Sequence, residues 1–364
     1  FLPSRFTIEG DAIDARAMTC RGLACPRCHL PVPRSMLELE PLFLSILGAP
    51  ASGKSYFLTA MTWQLRKLLP LRFSVAFADA DPASNRILNE CEEILFLNGR
   101  EAERLPLGNL IRKTELQGEL YNTVSLGQQM VNYPRPFLFS MLPKTDHPRG
   151  TKAASLARML CLYDNAGEHF HPGQDTTSSP VTRHLARSRA ILFLFDPTQD
   201  KRFQAACQPS ATNPLSGNEI SPYPREVRLS RQETILNEAS ARVRRYGGLS
   251  HNTRYDRPLI VVLSKYDAWS RLLDLHDDSE PWLSSGGVSG LDVERIEGLS
   301  TNLRQMLLEH CPDIVTAADS FASDVTYIPV SSLGDRVQIE PTTGLPGIRP
   351  ADISPRWVTV PILY

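Results

Sequence analysis

Gly48-Ala49-Pro50-Ala51-Ser52-Gly53-Lys54-Ser55 reads G-x-x-x-x-G-K-S and stands between two segments of different periodicity. Residues 42–47 before it form a continuous apolar run, as a buried strand requires. Residues 55–69 after it carry Phe57, Leu58, Met61, Leu65, Leu68 and Leu69 along one side of a helix. Glycines in such a turn let main-chain N–H groups point inward around phosphate oxygens, where a Cβ would collide. The helix start adds the positive end of its dipole to the same anion. In that setting Lys54 reaches the β- and γ-phosphates and the Ser55 hydroxyl ligates magnesium. Amides from Gly48 through Ala51, Ser52 and Gly53 to Tyr56 line the anion. A glycine-rich turn that merely opens a helix is the competing reading, and the flanking strand and helix favour phosphate.

Working outward, further apolar runs fall at 73–77, 136–142, 159–163, 190–195, 259–263 and 325–330. They alternate with helical patterns at 84–97, 228–246 and 291–310, and Gly247-Gly248 supplies a helix stop. Strands that alternate with helices predict an α/β fold: three layers around a mostly parallel sheet of six or more strands. Residues 176–182 are rich in Ser and Thr, and 208–224 in Pro, Ser, Asn and Gly, so both read as loops.

Three strand ends carry chemistry. Asp164-Asn165-Ala166-Gly167 follows the run 159–163, where a carboxylate can hold magnesium through a water and a glycine can bring an N–H to the γ-phosphate. Ser264-Lys265-Tyr266-Asp267 follows 259–263. A carboxylate there accepts two hydrogen bonds from guanine N1–H and its 2-amino group, a pair of donors that adenine lacks. The alternative for Asp267 is a helix N-cap. Ser331-Ser332-Leu333 follows 325–330, and a main-chain N–H from this turn could meet guanine O6.

Taken in order, these four motifs resemble the P-loop GTPases of the translation-factor-related class, with a Ras-like or Arf-like G domain, over roughly residues 41–364. The resemblance implies GTP or GDP with Mg2+, held by Gly48 to Ser55, Asp164, Gly167, Lys265, Asp267 and Ser331 to Leu333. It implies a six-stranded sheet whose one antiparallel strand, 136–142, pairs with 159–163. Ser264 stands where relatives carry Asn or Thr, Ser332 where they carry Ala, and Glu168 where many carry a water-orienting Gln. The catalytic group is expected to be Lys54, Glu168 and a switch threonine, for which Thr114 is preferred to Thr123. His169, His171, Arg183 and Arg187 read as solvated residues of the adjoining segments.

Residues 1–36 are Pro-rich and carry Cys20 and Cys25-Pro26-Arg27-Cys28-His29. The C-x-x-C knuckle reads as half of a zinc ribbon, with Cys20, Cys25 and Cys28 as ligands of a Zn2+. Two surface thiols are the alternative. A partial ribbon before a G domain with insertions, at about 71–130 and 200–256 within residues 37–364, is similar to the bacterial double-GTPase type found in conflict-associated multi-gene systems. That type implies a protein effector or second GTPase as partner. Residues 355–360 read as the start of a last helix cut short, and the first residue, Phe1, reads as that of an excised segment.

Bulk composition narrows the classes. The 364 residues carry a net charge of −1 with no Lys/Arg stripe, which argues against a nucleic-acid surface. No apolar run reaches the roughly 18 residues of a membrane span, and no secretory leader opens the chain. Seven cysteines, an odd number, point to reduced thiols in the cytoplasm. Three functions stay open: a magnesium-dependent GTP hydrolase acting as a switch, a GTP/GDP-binding regulatory or scaffold module with negligible turnover, and an ATPase in which Asp267 only caps a helix.

Overall fold

All five residues of Leu259–Leu263 are buried. Successive side chains leave a strand on opposite faces, so helices must cover both sides of the sheet to which it belongs. The computed structural model describes residues 4–26, 30–99, 103–111, 121–126, 129–165, 167–170, 183–207, 231–273, 279–285, 288–335, 337–339 and 346–364.

The main sheet contains β1 (Glu40–Gly48), β2 (Val75–Asp79), β3 (Phe137–Pro143), β4 (Arg158–Asp164), β5 (Ala190–Phe195), β6 (Leu259–Leu263) and β7 (Val325–Pro329). Their spatial order is β7-β6-β5-β1-β4-β3-β2. β1, β4, β5, β6 and β7 run parallel to one another, and β3 pairs antiparallel with both β4 and β2. The expected antiparallel strand is therefore β3, facing β4 in the register Phe139 to Leu160. The seventh strand, β2, adds to the outer edge beyond β3.

The long helices among the described residues are α1 (Lys54–Arg72), α2 (Pro82–Phe96), α3 (Gln232–Gly247), α4 (Val293–His310) and α5 (Pro312–Phe321). Local chemistry sets their ends. The Asp81 carboxylate caps α2 by accepting from Ala83 N–H at 3.3 Å, with Pro82 in the first turn, so this helix starts two residues before the expected Ser84. Asp292 caps α4 at Arg295 N–H, 3.1 Å. Gly248, at φ 66°, closes α3. α1 continues past the expected Leu69 and through Pro70, and its last turn is closed by Phe73 N–H on Leu69 O at 3.1 Å. The last helix begins at Val360 and not at the expected Pro355. Arg356 is engaged in an antiparallel bridge to Ser331, and Trp357 lies at φ 61°, so neither can be helical.

The β2–α2 insertion is fixed to α1 by a buried ionic cluster. Arg66 donates to Glu92 at 2.9 Å and to Asp79 at 2.8 Å. Asn85 ties Asp79 (2.7 Å) to the main chain of Leu138 in β3. Burial pushes the Glu92 carboxyl up, against the Thr62 hydroxyl and Arg66. Burial acts the same way on Asp79, but bonds from Asn85 and Arg66 outweigh it and hold that group low. Arg66→Met strands two carboxylates without their cation. It should cost about 3 kcal/mol in urea unfolding, the low end for a broken buried pair because Arg66 retains some water. A loss near zero would mean that the cluster behaves as a surface pair.

A satellite core of Leu95, Leu110, Ile111, Leu333, Val337 and Ile348 joins this insertion to the segment after β7. There Leu105–Pro106 and Gln338–Ile339 both pair with Pro346–Ile348. A hairpin, Tyr121–Leu126 with Gln129–Pro134, also belongs to the insertion. In the leading segment, Arg5–Phe6, Ala12–Ile13 and Thr19–Cys20 form a small antiparallel sheet, and Met36 and Leu39 pack on Leu138, Met159 and Cys161 of β3 and β4. No described helix is long and apolar enough to cross a membrane.

Candidate functional site

Because β1, β4, β5, β6 and β7 are parallel, the segments that follow them all emerge at one edge of the sheet, where ligands of open α/β folds bind. The motif residues Gly48, Asp164, Lys265 and Ser331 lie there. Asp164 is the register partner of Ile46, and Gly48 that of Leu194.

Gly48 is held to glycine by proximity: a Cβ there would stand 2.5 Å from Leu194 O. Gly53 is held by conformation, at φ 93°, and a Cβ on it would meet nothing within 4 Å, so open space lies beside the loop. Ala51 is left-handed too, at φ 62°. Ser52 N–H closes the turn on Ala49 O at 3.2 Å. The first main-chain bond of α1 is Phe57 N–H to Gly53 O, 2.9 Å, so the N–H groups of Lys54, Ser55 and Tyr56 point toward the loop. Lys54 is buried and donates to Gly48 O at 2.7 Å and Ala49 O at 3.0 Å, which folds its ammonium across the loop mouth. Ser52 is fully buried, and its Oγ meets no partner among the described residues. A buried hydroxyl without a partner, in a turn lined by amides and one ammonium, suits an anion.

Gly167 packs directly on this turn, where a Cβ would lie 2.6 Å from Gly48 O and 2.9 Å from Pro50 Cδ. The Asp164 to Gly167 motif and the loop are thus in contact. Asn165 is anchored by its N–H and its side-chain amide to Ile46 O, both at 3.1 Å. Ser55, half-buried in the first turn of α1, and Asp164, buried at the end of β4, offer a hydroxyl and a carboxylate. Such donors suit Mg2+, which keeps waters and phosphate oxygens in its shell. Among the described residues, no group of three or more His, Cys, Asp or Glu forms a metal site.

On the other side of the edge, Asp267 accepts from Ser331 Oγ at 2.5 Å, and Ser331 Oγ in turn accepts from Gly334 N–H at 3.0 Å. The two motifs expected to share a base are therefore joined. Burial raises the Asp267 carboxyl above the usual range, against the opposing Ser331 bond. Lys265 is a non-glycine at φ 54° and forms an ion pair with Asp196 at 2.6 Å. Ser264 is buried, and its Oγ has no partner among the described residues.

Two motif residues keep their side chains in the satellite core. The Tyr56 hydroxyl donates to Leu107 O at 2.6 Å and the ring joins the satellite core, so Tyr56 offers an anion its main chain only. The Leu333 side chain is buried in the same core, and Ser332 is half-buried beside it. Thr114, Cys28, His29 and His171 lie outside the described residues, as do the side chains of Glu168, His169 and Arg183. Glu168 is described only as part of the short helix Gly167–Phe170. Thr123 lies in the hairpin strand Tyr121–Leu126, and Arg187 is exposed. Cys20 is exposed and Cys25 half-buried, and neither forms a disulfide.

Sequence reasoning missed Asp196, which pairs with Lys265, Gln199 and Gln232, which bond Asp196, and Arg242, whose buried guanidinium stacks over the Phe170 ring at 5.0 Å. Asp196-Pro197-Thr198 directly after a buried strand was the available signal, and it reads equally well as a cap.

No protein-family profile matches the chain. It is 25% identical over 329 residues to a Mycolicibacterium smegmatis protein described as "Putative ESX-1 scaffolding and assembly protein SaeC", covering 85% of this chain and 72% of that protein. Among solved structures, it is similar to Sup35 complexed with GDP, at 15% identity and TM-score 0.26 over 83% of this chain. It is also similar to the S. cerevisiae Ski7 GTPase-like domain bound to GTP, at 16% identity and TM-score 0.28 over 82% of this chain. The chain spans 39% and 44% of those two structures.

Proposed function

We propose that this chain binds a guanine nucleotide with magnesium and uses its γ-phosphate as a conformational switch. One observation carries the reading: a single sheet edge brings together an amide-lined turn crossed by Lys54 and the Asp267–Ser331 pair. In this reading the triphosphate lies in the turn, on the amides of residues 51–56 and the Lys54 ammonium. Ser55 ligates magnesium directly and Asp164 through a water, while Gly167 N–H meets the γ-phosphate. Asp267 accepts from guanine N1–H and the 2-amino group. Gly167 already packs against Gly48 and Pro50, so loss of the γ-phosphate would be felt first in Gly167–Phe170.

The base assignment has a pH signature. Guanine recognition needs the ionised carboxylate, and burial raises the Asp267 pKa. GTP affinity should be level above that raised pKa and weaken by about tenfold per pH unit below it, starting at a pH above the ordinary aspartate value of about 3.9. Titration of the chain with GTP and with ATP across that range checks this. GTP should bind far better at neutral pH and converge on ATP in acid. Equal binding at all pH values would favour an ATP site in which Asp267 only caps a helix.

A second reading is a nucleotide-binding scaffold with negligible turnover. The description of the mycobacterial relative as a scaffolding and assembly protein favours it. So does the residue type at Glu168, since a carboxylate in place of a water-orienting Gln would add negative charge where charge builds up. Single-turnover phosphate release separates the two. Tight GTP binding without release would leave the scaffold reading. The same segment order also keeps the zinc-ribbon and double-GTPase proposal open, with a second GTPase or effector as partner. Metal analysis of the purified chain tests its zinc.

A further inference from the structure

Asp196 is fully buried, yet it carries more hydrogen bonds than a cap needs. Its Oδ1 accepts from Thr198 N–H at 3.0 Å and from Thr198 Oγ1 at 2.6 Å, which already completes the cap of the turn after β5. Its Oδ2 faces the candidate site, where it accepts Lys265 Nζ at 2.6 Å and Gln199 Nε2 at 3.0 Å. The same Gln199 amide reaches Pro50 O of the phosphate loop at 3.4 Å. The Asp196 main chain is fixed on both sides by Gln232, whose Oε1 accepts from Asp196 N–H at 3.0 Å and whose Nε2 donates to Asp196 O at 2.8 Å. The neighbouring loops are tied in series, Ser264 N–H to Phe195 O at 2.9 Å and Tyr266 N–H to Val330 O at 3.0 Å.

Serine or asparagine would cap this turn as well as aspartate does, without the cost of burying a charge. What the carboxylate adds is a rigid anion for Lys265, whose backbone is left-handed and whose side chain keeps a quarter of its surface exposed. With its ammonium held by Asp196, the partly exposed Lys265 side chain is fixed beside the turn after β5, from which Gln199 reaches Pro50 O of the phosphate loop.

We propose that Asp196 is a positioning residue of the nucleotide site: it holds the Lys265 side chain in place for the base, braced through Gln199 against the phosphate loop. The inference rests on the guanine-nucleotide reading above. It assigns to Asp196 a share of base affinity, not of phosphate affinity.

The test compares GTP with inorganic tripolyphosphate, which carries the tail without the base. Asp196→Asn should weaken GTP binding by about tenfold or more and change tripolyphosphate binding by less than about twofold. Lys265→Met should show the same base-selective loss, and adding Asp196→Asn to Lys265→Met should weaken GTP no further, because both act through one contact. If Asp196→Asn alone fails to fold, the double variant, which carries neither charge, keeps the comparison with Lys265→Met. An equal loss for both ligands would show a structural role and overturn the proposal. So would GTP binding by Asp196→Asn within about twofold of the wild type, or a further loss in the double variant. If the wild type itself binds tripolyphosphate but not GTP, the guanine reading fails first and this inference with it.

Discussion

Lys54→Ala is expected to abolish nucleotide binding, lowering GTP affinity by at least about a thousandfold while the chain stays folded. The Lys54 ammonium does two things in this structure. It bonds Gly48 O and Ala49 O, holding the first turn of the loop in shape, and it is the only cation described within that turn. Alanine removes the charge that meets the β- and γ-phosphates. It also removes the charged donor that the Gly48 and Ala49 carbonyls share. A thousandfold is about 4 kcal/mol, which one or two charge-assisted bonds from the ammonium to phosphate oxygens, at about 1.5–3 kcal/mol each, would supply. Lys54→Arg should not rescue, because a planar guanidinium is too wide to lie across the same two carbonyls. Titration calorimetry with GTP checks the loss, and an unchanged circular dichroism spectrum distinguishes it from unfolding. Retained affinity in either variant would remove the loop from the account.

The fate of Lys54 was legible because everything it needs lies within a few residues: the strand before it, the glycines beside it and the helix after it. Asp267 and Ser331 were legible singly, as motifs at strand ends, but their 2.5 Å contact needs β6 and β7 side by side, which periodicity does not state. Asp196 was not legible. Its local sequence is that of an ordinary capped turn, and its role appears only when Lys265, from the next strand in the sheet, arrives on its Oδ2. The seventh strand shows the same limit from another side. The run at 73–77 could be read as a strand, which lies at Val75–Asp79 because Phe73 closes α1, but only the Arg66 cluster and the pairing with β3 place it at the outer edge. The side chains of Tyr56 and Leu333 show a further limit. The motifs expect only a main-chain N–H from each, and they do not say that the satellite core, built by the insertion and the segment after β7, takes up both side chains. The apolar spacing of α5 (Ile314, Val315, Ala318, Phe321) was readable. α5 starts at Pro312 with only Cys311 between it and α4, and a helix read over 291–310 stops short of it.

Asp267→Asn should exchange the base preference of the site from guanine to xanthine. Ser331 decides how the new amide sits. Its Oγ accepts from Gly334 N–H, so its own proton is committed to the Asp267 side chain, and only an oxygen can receive it. The substituted amide would therefore keep its oxygen toward Ser331 and place its NH2 where Oδ2 now stands. That outer position meets the 2-position of the base. Guanine presents an amino group there, so two donors would face each other and one would lose its partner in a half-buried pocket. Xanthine presents a carbonyl there and accepts. A site built to bond one polar group rejects the mismatched analogue strongly, so GTP affinity should fall by about 10²–10⁴-fold and XTP should become the better ligand. The substitution also removes the titrating group, so the remaining GTP affinity should no longer weaken in acid as it does in the wild type. Competition between GTP, XTP and ATP on the folded variant reads the first effect, and the same titration at two pH values reads the second. A variant that bound GTP as before, with its acid sensitivity intact, would mean that the base lies elsewhere and that Asp267 serves only the Ser331 turn.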